Sequence, residues 1–294
     1  WSTRAATDRP DRSRRAILLP MNEDLRSHED DEPIVVRPRR KGIYVLPNAI
    51  TLSALFSGFY GIVMAMNGRF EVSVVAILCA AVLDSLDGRV ARMTNSQSAF
   101  GEQMDSLCDM VSFGAAPALI IYIWGLKDLG KAGWIPAFVY ISGAALRLAR
   151  FNVNIGVVDK RFFQGLPSPA AAALVMGLIW VMDDAGLKGA TKIDWLAWSA
   201  FGVTLFAGLS MVTNAPFYSF KVVGGRRTVP FVVIVAIALG IALISLDPPR
   251  VLFAIFCAYG LSGYVIYAWR KTKGRPTSVI AMSTEDPDEQ GLHR

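Results

Sequence analysis

Four aspartates stand at fixed intervals in an otherwise oily stretch of the chain: Asp84, Asp87, Asp105 and Asp109. Around them the sequence runs Asp84-Ser-Leu-Asp87-Gly88-Arg-Val-Ala91-Arg92, then eight residues, then Gly101-Glu-Gln-Met-Asp105-Ser-Leu-Cys-Asp109. Spacings of i,i+3 and i,i+4 put each pair of carboxylates on one helical face. Apolar runs on both sides are long enough to cross a bilayer, and ionisable groups at that depth are expensive and mark function. Four like charges held close together cannot all stay ionised unless cations balance them. Four carboxylates at a helix crossing can hold two divalent ions, and Mg²⁺ or Mn²⁺ suits such hard oxygen ligands better than zinc. Two ions would clamp a diphosphate and stabilise both the attacking and the leaving oxygen of an in-line displacement. Gly88 and Ala91 strip bulk from the same helical surface, so a nucleotide can approach the backbone, and Arg92 can pair with a phosphate. Two other readings compete. The acids could pair with Arg89, Arg92, Arg147 and Arg150 as a scaffold, or they could line an ion or proton pathway. A pathway would spread acids along the membrane depth, whereas these are bunched at one end.

The elements that must position these residues follow from composition and hydropathy. The chain has 294 residues, 53% of them hydrophobic, concentrated in eight apolar segments near 46–66, 70–92, 103–125, 132–152, 166–183, 193–212, 229–246 and 250–269. Each is close to the roughly 20 residues a helical span requires, so the expected fold is an all-α polytopic membrane protein with about eight transmembrane helices. Short links such as Asn67-Gly68-Arg69 and Asp247-Pro248-Pro249 make neighbouring helices antiparallel. The membrane domain is expected over 43–272. A polar, basic and mostly disordered tail is expected over 1–42, and a polar C-terminal tail over 273–294. No charged segment followed by a cleavable apolar one begins the chain, so no signal peptide is expected, and Met21 is an alternative start.

With the N-terminus placed in the cytoplasm, only Arg69, Lys127, Lys131, Lys188, Lys192 and Arg250 of the 30 Lys and Arg fall on the far side. That asymmetry places both termini and the aspartate-rich turn at the cytoplasmic face of the cell membrane. The net charge of +6 is therefore a match for an anionic lipid surface rather than for nucleic acid. The Arg37-Pro-Arg39-Arg40-Lys41 cluster sits just ahead of the first apolar run. Cys79, Cys108 and Cys257 lie far apart with no metal-ligand spacing and read as buried thiols.

The pattern Asp84-x2-Asp87-Gly88-x2-Ala91-Arg92-x8-Gly101-x3-Asp105-x3-Asp109 is similar, at each of its eight fixed positions, to the signature of the CDP-alcohol phosphotransferases. The resemblance implies that Asp84, Asp87 and Asp105 are metal ligands. It also implies that Asp109 helps hold metal and acts as general base on the acceptor hydroxyl. Enzymes of this family displace CMP from a CDP-linked lipid or alcohol, usually as homodimers. Asn48 and Thr51 resemble positions near the nucleotide, although helix capping would explain them equally well.

More of the chain resembles one branch of the family, the membrane-embedded phosphatidylserine synthases. The similar stretches are Leu46-Pro47-Asn48-Ala-Ile-Thr51, Asp109-Met-Val-Ser112-Phe113-Gly114-Ala-Ala-Pro117-Ala118, Leu146-Arg147-Leu-Ala-Arg150-Phe151-Asn152, Phe163-Gln-Gly165-Leu166-Pro167-Ser168-Pro169-Ala170 and Pro216-Phe-Tyr218-Ser219-Phe220-Lys221. Together they cover about 43–270. This branch implies transfer from CDP-diacylglycerol to L-serine, with CMP released. Arg147, Arg150 and Lys221 are cations suited to the serine carboxylate, and Asn152 and Ser168 could meet its ammonium or hydroxyl. Positive-inside anchoring or phosphate binding would also account for the cations. The only histidines, His28 and His293, lie in the polar tails. A phosphohistidine route is thereby excluded, and the base must be a carboxylate. The same chemistry with glycerol 3-phosphate, inositol phosphate or choline is the nearest alternative. A cation or substrate transporter is the alternative from another class, but it leaves the spacing of Gly88, Ala91, Arg92 and Gly101 unexplained.

Overall fold

The computed structural model describes residues 45–153, 162–187, 194–218 and 231–273. Both expected tails lie outside these residues, apart from Lys273. So does Lys221. The chain runs through α1 (Val45–Met66), α2 (Phe70–Met93), α3 (Ala99–Asp109), a π-helical turn (Met110–Ala115) and α4 (Ala116–Trp124). A 3-10 stretch (Leu126–Ala132) leads into α5 (Trp134–Val153). Strand β1 (Phe162–Gln164), α6 (Ser168–Asp184), α7 (Asp194–Val212), strand β2 (Pro216–Tyr218), α8 (Phe231–Leu246) and α9 (Pro248–Thr272) follow. Apart from the antiparallel β1–β2 pair, where Phe163 faces Phe217, the regular elements among the described residues are helical.

Every one of the eight apolar segments contains a helix, but fewer of these helices are long and apolar enough to cross a membrane. Four qualify among the described residues, Leu46–Met66, Ala99–Trp124, Trp195–Val212 and Pro248–Thr272. A fifth is added if the 3-10 stretch and α5, bent by 98° to one another, count as one span. The shortfall from about eight has physical causes. Helix α2 carries Glu71, Asp84, Asp87, Arg89 and Arg92, and α6 has 17 residues, about 26 Å of helix against a hydrocarbon core of about 30 Å. Helix α8 has 16 residues. Helix α6 is also buried without a break from Ala170 to Ile179, so the larger part of it is surrounded by protein rather than facing lipid. Large apolar side chains point outward elsewhere, among them Leu52, Phe56 and Phe59 on α1, as suits a chain solvated by lipid.

Within the bundle, hydroxyls and small residues hold neighbouring helices together. Ser57 Oγ donates to the Ala76 carbonyl and Ser73 Oγ to the Gly61 carbonyl, both at 2.7 Å, tying α1 to α2. Such bonds replace the water that backbone groups lack in lipid. Helices α5 and α7 touch at Gly143 and Gly208, where a Cβ on Gly143 would lie 2.4 Å from the Gly208 carbonyl oxygen.

Turns are equally local in origin. Helix α2 stops because Asn95 adopts a left-handed conformation, φ 50°. The Asn95 amide then donates to the Arg92 carbonyl and the Ser96 amide to that of Ala91, a Schellman ending. Three residues later Ser98 caps α3, its Oγ accepting from the Gly101 amide at 3.0 Å. This tight reversal sets α2 against α3.

Candidate active site

The reversal at 94–98 decides where the carboxylates meet. Asp87 lies seven residues before Thr94, and Asp105 seven after Ser98. At 1.5 Å per residue both sit about 10 Å from the turn. Asp84 and Asp109 are about one helical turn further along, at about 15–17 Å. The antiparallel pair therefore brings the four residues to matching depths.

Carboxylate oxygens of Asp84, Asp105 and Asp109 converge within 4.8 Å of one another. Asp87 stands beside this group and is 5% exposed. Its Oδ2 accepts a hydrogen bond from Thr51 Oγ1 of α1 at 2.6 Å. The cluster fits a divalent cation on two counts. Its donors are all hard oxygens at a distance from one another that one ion can span, and Asp105 Oδ1 is buried without a hydrogen-bond partner. A buried carboxylate oxygen left in that condition is costly unless something cationic satisfies it.

A pocket of about 210 Å³ opens alongside the cluster, many times the roughly 10–15 Å³ that one water needs by the same measure. Asn48, Thr51, Gly88, Ala91, Arg92 and Gly101, the six residues expected near the nucleotide, all line it. Asp87 and Asp105 form its inner wall, so a ligand in the pocket reaches the carboxylates directly. The two glycines have different reasons to be glycine. A Cβ on Gly101 would press on the capping Ser98 Oγ at 3.2 Å and would lie 3.5 Å from Asn48 Oδ1. A Cβ on Gly88 would meet only Arg92 Nη1, at 3.8 Å. Glycine inside a helix costs about 1 kcal/mol relative to alanine, and at Gly88 no crowding by the protein demands that cost.

The expected acceptor residues divide. Arg147 Nη1 donates to Ser168 Oγ at 2.8 Å, Ser168 is fully buried, and the guanidinium is close enough to Asp109 to interact with it electrostatically. Arg150 instead turns to the end of α7, donating to the Val212 carbonyl at 3.0 Å and to Asn214 Oδ1 at 3.3 Å. An arginine bonding the last carbonyls of a helix is a common ending. Asn152 Nδ2 donates to Ser106 Oγ at 3.1 Å, joining the end of α5 to α3.

Several pocket residues escape a reading of the sequence alone: Pro47, Ser96, Gln97, Ser98 and Glu102 also line it. Ser98 carries a signal, a serine immediately before a helical run, which marks a cap. Pro47 reaches the pocket from the first turn of α1, and Ser96, Gln97 and Glu102 reach it because the reversal between α2 and α3 folds back over it.

The sequence that builds this site has counterparts among known proteins. Residues 44–209 match the CDP-alcohol phosphatidyltransferase family, and the chain belongs to that family: it is a helical membrane enzyme of phosphatidyl transfer. A CDP-diacylglycerol–serine O-phosphatidyltransferase of Helicobacter pylori is 34% identical over 226 residues, covering 76% of this chain and 92% of its own length. One from Methanocaldococcus jannaschii is 30% identical over 226 residues, with coverage of 76% and 96%. One from Saccharomyces cerevisiae is 40% identical over 145 residues, 45% of this chain and 52% of its own.

Proposed function

We propose that this enzyme transfers the phosphatidyl group of CDP-diacylglycerol to the hydroxyl of L-serine, giving phosphatidylserine and CMP. The observation that carries the reading is Asp105, which belongs both to the carboxylate cluster and to the wall of the adjoining pocket. CMP would occupy that pocket along Asn48, Thr51, Gly88, Ala91 and Gly101, with Arg92 at its phosphate. Asp84, Asp87, Asp105 and Asp109 would hold two Mg²⁺ or Mn²⁺ ions, whose charge, when bound, neutralises the diphosphate and eases departure of CMP.

The protein's own residues do the rest. Asp109 accepts the proton of the serine hydroxyl as the serine oxygen bonds to the lipid-linked phosphorus, and the phosphorus–oxygen bond to CMP breaks on the opposite side. Positioning and charge neutralisation supply most of the rate in such transfers. Serine as acceptor is supported by the names of the relatives and by Arg147, a cation near Asp109 whose fork is oriented by a buried hydroxyl. One arginine suits one carboxylate, and a phosphorylated acceptor would call for more cations. Asn152 and Lys221 are the remaining proposed acceptor contacts, while the bonds of Arg150 commit it to the end of α7. The distribution of Lys and Arg supports a cytoplasmic site at the cell membrane, with both termini on that side and anionic lipids against the basic segments. We place the enzyme as a homodimer on the strength of the family resemblance.

The test is CMP release by the purified enzyme with CDP-diacylglycerol and Mg²⁺ or Mn²⁺, offering serine, glycerol 3-phosphate, inositol phosphate and choline separately. Release with serine alone, together with phosphatidylserine formation, is the expected result. Release with another acceptor in place of serine would overturn the substrate while keeping the site.

A further inference from the structure

The span that carries Asp105 and Asp109 is not a continuous α-helix. Immediately after Asp109 it opens into the π turn Met110–Ala115, in which the Ala116 amide reaches back five residues to the Val111 carbonyl, and it returns to α-helix at Ala116. Such a turn amounts to one inserted residue, and one residue is about 100° of helical rotation. The carboxylates on one side of the turn and the buried face of α4 on the other, with Ile120, Ile121 and Trp124, therefore hold a phase that a regular helix would not allow. Were the turn to relax to α-helix, either Asp105 and Asp109 would rotate off Asp84 or the core face of α4 would rotate out of the bundle.

Pro117 offers the Phe113 carbonyl no amide hydrogen four residues on, and polar contacts from outside the site brace the turn. The Tyr140 hydroxyl of α5 donates to the Phe113 carbonyl inside the turn at 2.9 Å, and both residues are fully buried. On the other side Ser112 Oγ donates to the Ala54 carbonyl of α1 at 3.3 Å. Tyr140 is itself immobilised, since its Cα packs where a Cβ on Gly208 of α7 would lie, 2.8 Å away. Tyr140 does not line the nucleotide pocket.

We propose that Tyr140 is a positioning residue for phosphatidyl transfer: by bonding the Phe113 carbonyl it holds the π turn, and the turn sets the helical phase at which Asp105 and Asp109 meet Asp84. This inference rests on the reading of the carboxylates as a divalent-metal site.

The test compares wild type with Tyr140→Phe, which removes a single oxygen and keeps the ring. Measurements are Mn²⁺ binding by electron paramagnetic resonance, kcat and KM, and thermal unfolding. Ser112→Ala probes the same turn from α1. Ser210→Ala, which loses the part-buried hydroxyl pair between Ser210 of α7 and Tyr264 of α9 at 2.7 Å, is the control for loss of a bond that does not touch the turn. The expected result is about tenfold weaker Mn²⁺ binding and a comparable fall in kcat for Tyr140→Phe, the low end of what losing an outer-shell partner brings. Ser112→Ala should move the same way by less, and Ser210→Ala should lower the unfolding temperature with Mn²⁺ affinity intact. If Tyr140→Phe merely unfolds earlier and binds Mn²⁺ as wild type does, the positioning role is wrong and the metal reading stands. If wild type shows no saturable Mn²⁺ binding, the metal reading fails and takes this inference with it.

Discussion

Replacing Gly88 by alanine should make the protein more stable and the enzyme worse. Gly88 is in the interior of α2, where a glycine forgoes roughly 0.5–1 kcal/mol of stability relative to alanine. The new methyl would meet only Arg92 Nη1 at 3.8 Å, ordinary contact distance, so nothing offsets the gain. Unfolding in detergent should shift upward by about 1–4 °C, given about 2–4 °C per kcal/mol for a chain of this size. The same methyl projects into the pocket shared with Thr51, Asp87 and Arg92. Overpacking a close-fitting contact costs about 1–3 kcal/mol, which is about five- to 150-fold in affinity. The assay pairs thermal unfolding, with and without CDP, with the KM for CDP-diacylglycerol in CMP release. A rise in unfolding temperature with an unchanged KM would refute the claim that a ligand lies against Gly88. A fall in unfolding temperature would refute the account of why glycine is there at all.

Four further substitutions separate roles that lie close together in space. Asp109→Asn should lower kcat by about 10²–10⁴-fold, the usual contribution of a general base, while the protein remains folded; CMP release at the wild-type rate would remove Asp109 from the chemistry. Thr51→Val keeps the shape and deletes the 2.6 Å bond to Asp87, a charged hydrogen bond worth about 1.5–3 kcal/mol. Weaker Mn²⁺ binding is expected, and a change confined to the KM for CDP-diacylglycerol would instead make Thr51 a nucleotide contact. Arg147→Lys, which loses the planar fork held by Ser168, should raise the KM for the acceptor about tenfold or more. Arg150→Met, which uncouples the end of α7, should lower the unfolding temperature with little effect on that KM; the reverse pattern would exchange their roles.

Much of the site was legible in one dimension because its chemistry is written at helical spacing. The pairs Asp84/Asp87 and Asp105/Asp109 need only a regular helix to share a face. Gly88, Ala91 and Arg92 follow on the same surface of α2, and the resemblance added Asn48 and Thr51. The acceptor side was less legible. Arg147 and Arg150 differ by three residues on one helix, and sequence gives no means of telling them apart, since each is a cation near the same membrane face. Packing separates them: one meets the buried Ser168 and the other the end of α7. The span count shows the same limit. Hydropathy registers eight apolar segments but not that α6 is surrounded by protein and so need not be long enough to face lipid on both sides.

The sequence by itself determined the periodicity, the charge placement and the signature, since all three are properties of neighbours along a chain. Only the tertiary structure decided the π turn after Asp109, the bond from Tyr140 that holds it, and the reach of Thr51 to Asp87. The two bonds join residues 27 and 36 positions apart. The physical reason is that helical phase and buried polar pairing are settled by which carbonyls and hydroxyls the packed helices leave to be satisfied, and no local spacing encodes that choice.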